Sequence, residues 1–159
     1  MTRRFADLSP AEVLGLAIDV EKNNAVRFST VRDMFEVTEP EIRDLFDELR
    51  KEELEHLAVL EKTVATMFPE GVPAVSEHDV EEVVECVDVS DGEHAVFGDV
   101  TREQALRMAL EAEVGAQDLY RRAAEATTDP ELEKVYRMLL ELETGHQQRI
   151  FDLLGEDES

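Results

Sequence analysis

The stretch RKEELEHLAVL, residues Arg50 to Leu60, places Glu53 three residues before His56. In a helix, positions three apart share a face, so a carboxylate and an imidazole point the same way. That face is apolar: Leu45, Phe46, Leu49, Leu57, Leu60 and Val64 form its stripe, and Glu53 and His56 fall inside it, seven residues after Phe46 and Leu49. Polar groups on a core stripe need partners, either one another through hydrogen bonds or a metal ion such as iron, manganese or zinc. With 39 Asp and Glu among 159 residues, one Glu-x-x-His arises easily by chance. What gives it meaning is recurrence.

Working outward, capping patterns divide the chain. Ser9-Pro10-Ala11-Glu12 opens a first helix whose stripe runs through Leu14, Ala17, Ile18, Glu21, Ala25, Phe28, Val31 or Arg32, and Phe35. Thr38-Glu39-Pro40-Glu41 reads as a second capping box, and the short connection makes helices one and two antiparallel neighbours. Pro69, Gly71 and Pro73 close that pair, which spans 10–67. Residues 68–100 lack clean periodicity and read as a crossover travelling the length of a bundle, with a short helix near Ser76 to Glu85. Thr101 to Gln104 caps a third helix with Leu106, Ala109, Leu110, Glu113, Ala116, Gln117 and Tyr120 on one face. Asp129-Pro130 starts a fourth, whose stripe carries Leu132, Val135, Tyr136, Leu139, Leu142, Glu143, His146 and Ile150. Gly155 should end it, so the second pair spans 101–154 and residues 155–159 form an acidic tail. The whole is a single domain, all-α.

The two pairs are repeats. AIDVEKNNAVRF around Glu21 matches ALEAEVGAQDLY around Glu113, and KEELEHLAVL around Glu53 matches LELETGHQQRI around Glu143. Glu113 follows Glu21 by 92 residues, and Glu143 and His146 follow Glu53 and His56 by 90 each. One Glu from each of two helices, and Glu-x-x-His from each of the other two, is the inward constellation from which four-helix bundles build two-metal carboxylate sites. Four carboxylates in a low-dielectric core repel unless protons or two divalent ions balance them.

On these residues, over roughly 10–67 and 102–153, the chain resembles the ferritin-like superfamily, and within it rubrerythrin-like proteins. The resemblance implies an antiparallel four-helix bundle with a di-iron site held by Glu21, Glu53, His56, Glu113, Glu143 and His146. It implies a non-haem di-iron oxidoreductase that oxidises Fe(II) with H2O2 or O2, acting against oxidative stress. Manganese or zinc would accept the same ligands. Tyr120, seven residues after Glu113, is placed to hydrogen-bond a ligand carboxylate; Phe28 holds the matching place in the first half, where relatives often carry tyrosine. Relatives also often present a carboxylate one turn after the third-helix ligand, where this chain has Ala116. Two alternatives stand beside this reading: a ferroxidase or iron-handling protein, and a non-catalytic metal-binding helical scaffold.

Composition limits partners and place. The net charge of −23 argues against nucleic acid and anionic membrane, since both need a basic face. The single cysteine, Cys86, excludes an internal disulfide and a four-cysteine iron module, so electrons are expected from an external donor or from Fe(II) itself. The opening residues lack the apolar run of a signal peptide, and no stretch reaches membrane-spanning length, so a cytoplasmic protein is expected. A homodimer or larger homo-oligomer is expected from the fold. Met34, Met67, Met108, Met138 and Tyr136 read as core filling, and His78, His94 and Cys86 as packing or surface residues of the crossover.

Overall fold

The computed structural model describes residues 2–81, 83 and 100–158, with 156–158 by backbone alone. Four long helices dominate: α1 (Pro10–Met34), α2 (Pro40–Met67), α3 (Arg102–Ala126) and α4 (Pro130–Glu158). The protein is an all-α four-helix bundle, with α1 packed on α2, α3 on α4, and the pairs meeting most closely between α1 and α3.

Three of the four starts follow their sequence patterns. Ser9 and Glu12 exchange side-chain-to-backbone hydrogen bonds at α1, Thr101 and Gln104 do so at α3, and Asp129 accepts from the amides of Glu131 and Leu132 at α4. The capping box expected from Thr38 does not form. Glu39 occupies the cap position without a capping hydrogen bond from its side chain, because it faces Arg102 at 3.4 Å and its backbone carbonyl takes the amides of Ile42 and Arg43. The expected stop at Gly155 also fails. Gly155 lacks the positive φ of a helix-ending glycine, and buried Leu154 keeps the last turn on the core, so α4 runs on to Glu158.

The core consists of two apolar blocks. Leu14, Leu16 and Ala17 of α1 pack with Leu60 of α2, Leu119 and Tyr120 of α3, and Leu132 and Leu139 of α4. Phe28 and Val31 pack with Leu45, Phe46 and Leu49, with Leu106 and Ala109, and with Ile150. The start of α1 thus meets the end of α2, and the end of α3 meets the start of α4, so the partners in each pair are antiparallel. Between the blocks every helix contributes a polar level, and that level holds Glu21, Glu53, His56, Glu113 and Glu143, all buried. Met108 is buried and Met34 packs at the margin as expected, but Met138 and Leu142 are exposed on the outer edge of α4. Leu142 thus lies one position outside the buried face of α4.

In the connecting segment Glu77–Asp79 forms a 3-10 turn capped by Ser76, and the rest of the short helix expected near Ser76 to Glu85 lies in part outside the described residues. Two long-range links hold the described part of this segment: Arg27 of α1 pairs with Glu77 at 2.7 Å, and Arg3 exchanges backbone hydrogen bonds with Asp79 and Glu81. Cys86 and His94 lie outside the described residues; His78 is exposed. The same segment presses Pro73 onto α1 at Gly15, where an added Cβ would lie 2.0 Å from the Pro73 carbonyl oxygen. Gly15→Ala is therefore expected to destabilise by about 1–3 kcal/mol, despite the better helix propensity of alanine, because backbone must move. Chemical denaturation checks this; a more stable variant would show that the segment yields freely.

Among the described residues no helix is long and apolar enough to cross a membrane.

Candidate metal centre

The six charged stripe residues meet in one layer. Glu21 comes from the middle of α1, Glu53 and His56 from α2, Glu113 from α3, Glu143 and His146 from α4. Their donor atoms fall into two overlapping groups, Glu21, Glu53, His56 and Glu143 on one side, and Glu53, Glu113, Glu143 and His146 on the other, with atoms in each group within 4.8 Å of one another. Glu53 and Glu143 belong to both. The imidazoles lie nearly parallel, with ring centres 6.1 Å apart.

His56 presents Nδ1 to the cluster, 2.9 Å from Glu143 Oε1, 3.7 Å from Glu21 and 3.9 Å from Glu53. His146 also turns Nδ1 inward, 3.5 Å from Glu113 Oε2, while its Nε2 sits against Glu52. Both oxygens of Glu53, Glu113 and Glu143, Glu21 Oε2, and Nδ1 of both histidines are buried without an aligned hydrogen bond. Such groups cost free energy where they lie, and all of them converge on one space. Hydrogen bonding within the core therefore accounts poorly for the cluster, whereas cations bound between the oxygens and nitrogens would satisfy it.

The protonation pattern says the same. Burial first, then repulsion from Glu21 and Glu143, holds the Glu53 carboxyl well above the usual range. Burial and Glu113 do likewise to Glu143, and burial raises Glu113 to about 7. Burial works against a charged His56, but Glu143 and Glu21 outweigh it and push the imidazole up to about 10. Burial opposes ionisation of Glu21, yet its contacts with Glu53, His56 and Tyr120 hold it below the usual range. The layer thus collects positive charge, and protons supply it when nothing else does.

Tyr120 reaches across from α3 and donates its hydroxyl to Glu21 Oε1. Tyr136 stacks beside it, 6.4 Å away, in the apolar block next to the layer. The equivalent position in the first half, Phe28, is fully buried against Phe46 in the opposite block and offers no hydroxyl. Glu52 was missed from sequence: it precedes Glu53, off the stripe. The repeat held its signal, because the counterpart of Glu52 at an offset of 90 is Leu142.

The family model of rubrerythrin matches residues 12–154, nearly the whole chain. A solved structure of a hypothetical protein from Pyrococcus furiosus is similar with a TM-score of 0.68 and 23% identity, over 93% of this chain and 89% of that one, which is a likeness of fold. No curated protein matches the sequence significantly.

Proposed function

The chain belongs to the rubrerythrin family, and from that premise we propose that it is a non-haem di-iron oxidoreductase that oxidises Fe(II) with H2O2 or O2. Glu21 and His56 would hold one iron, Glu113 and His146 the other, and Glu53 and Glu143, common to both donor groups, would lie between them. The observation that carries this reading is the convergence of buried, unpartnered carboxylate oxygens and imidazole nitrogens on one space. Four carboxylates and two neutral imidazoles balance two divalent ions.

When bound, two adjacent Fe(II) ions supply a pair of electrons to the oxidant. The chain's own part is arrangement. The apolar blocks above and below keep bulk water from the layer, and the helices fix the ligands from four directions. Tyr120 ties Glu21 through Oε1, the oxygen that also lies nearest His56 Nδ1, while Oε2 is buried without an aligned hydrogen bond. Burial keeps the Tyr120 phenol well above its ordinary range, so it stays protonated and acts as a hydrogen-bond donor at neutral pH. Reducing equivalents would come from an external donor or from Fe(II) as substrate.

A ferroxidase role in iron handling is the second reading, favoured by the charge of −23, which concentrates cations around the protein. Anaerobic Fe(II) titration followed by rapid mixing with H2O2 or O2 separates them. Saturation at one iron per donor group with much faster oxidation by H2O2 is expected for the reductase. Turnover that continues past that stoichiometry with O2 would move the assignment to iron handling, and no saturable binding would overturn both.

A further inference from the structure

The sequence repeat presents the two halves of the centre as equivalents; the side chains are not. Around His56 the site is closed, with only 4% of that side chain exposed. His146 lies at the rim, with 13% of its side chain exposed, on an open groove between α2 and α4 lined by Glu52, Leu142, Gly145 and Arg149. Glu52 stands at that rim, its side chain one-third exposed, with Oε2, buried and without an aligned hydrogen bond, against His146 Nε2. Applying the repeat offset of 90 residues puts Leu142 where His56 would need a matching carboxylate, and Leu142 is 45% exposed. Among the described residues no acidic side chain pairs with His56 Nε2; all its ion pairs are through Nδ1.

We propose that Glu52 is a positioning residue that makes the two metal positions unequal, with the His146 position the tighter. This rests on the dinuclear reading above. A carboxylate on the outer nitrogen of a metal-binding imidazole fixes the tautomer, holding the proton on Nε2 and the lone pair on Nδ1. It also locks the ring plane and makes the inward nitrogen a better donor. His146 has that partner and His56 lacks one, so the ring that could swing toward solvent is the one that is held. Glu52 therefore compensates for the open side of the centre.

Titration of the metal-free full-length chain with Co(II), followed by its visible absorption and by calorimetry, tests this without any turnover. The wild type is expected to bind in two resolvable steps. Glu52→Ala should weaken one step by about 10–100-fold and leave the other little changed. Glu52→Gln, which can still accept from Nε2, should lose less. In a His146→Ala background Glu52→Ala should do nothing further, because its effect runs through that ring. Leu142→Glu should strengthen the weaker step in the wild type. Melting of the metal-free Glu52→Ala protein should match the wild type, since a rim carboxylate carries little of the fold. Equal steps in the wild type, or a loss in Glu52→Ala spread evenly over both steps or absent from both, would overturn the proposal. Failure of the wild type to bind Co(II) at all would overturn the dinuclear reading together with it.

Discussion

Glu143→Gln is expected to weaken metal binding at both positions and to raise the melting temperature of the metal-free protein. Glu143 contributes to both donor groups, so its loss cannot be confined to one ion. Glutamine has the same shape but no charge and one fewer good donor oxygen, and the affinity of each step should fall by about 100-fold or more, beyond the usual effect of an outer partner. Without metal the sign reverses. Both Glu143 oxygens are buried without an aligned hydrogen bond, and burial together with Glu113 already drives the carboxyl toward its protonated form. Glutamine imitates that form permanently. Removing the cost of keeping that carboxyl protonated on folding is worth about 1–3 kcal/mol, or several degrees for a chain of this size. Glu113→Gln, by contrast, touches one group and should cost one ion. Metal analysis after dialysis, with calorimetry of the chelated proteins, reads both effects. Two ions retained by Glu143→Gln would refute the shared-ligand assignment. A clear fall in the metal-free melting temperature would favour a polar scaffold that needs no metal.

That trade between stability and binding explains why the centre was visible in the sequence. Glu21, Glu53, Glu113 and Glu143 stand at positions where helical periodicity demands apolar residues, and a residue that violates its local rule marks a site that the fold maintains at a cost. Periodicity reports which face a residue occupies, so the inward set could be read from spacing alone. It does not report what lies across the gap. Tyr120 was recognisable as a hydrogen-bond donor to one of the candidate ligand carboxylates, but only the fold shows which one: Glu21, 99 residues away on α1. Glu52 was invisible for the converse reason: it sits off the stripe, and only the packing of α4 against α2 carries His146 to it. Thr38 and Gly155 show a third limit. Local capping patterns were overridden, one by the reach of Glu39 to Arg102 and the other by the burial of Leu154. The Arg27–Glu77 pair likewise depends on a fold-back between residues 50 apart, which no local pattern encodes.

The metal-free protein is expected to lose stability as pH rises from about 5 to 9, and metal loading should reverse that slope. Glu113, at about 7, is raised above the ordinary value of 4.5, so the folded state holds its proton more tightly than the unfolded chain does. The resulting penalty is absent below 4.5 and complete above 7; Glu53 and Glu143 are displaced in the same direction. His56, raised from 6.5 to about 10, adds stability that is full below 6.5 and is lost as pH climbs through 10. All of these have the folded state binding the extra protons, so stability falls with pH. Glu21 opposes them, but its depressed value places its window below 4.5. The Glu113 displacement alone corresponds to about 3 kcal/mol between its two values. Cations replace protons in the layer, so their binding releases protons and strengthens as pH rises, and the loaded protein should gain stability over the same range. Melting curves from pH 5 to 9, with chelator and with saturating Co(II), give the two slopes. Repulsion across a surface of net charge −23 also weakens the metal-free protein at high pH, so the slope by itself is ambiguous. Glu113→Gln and Glu143→Gln leave that surface untouched and remove titrating groups from the layer. If the buried cluster is the cause, each variant flattens the metal-free slope; if the surface is the cause, neither does.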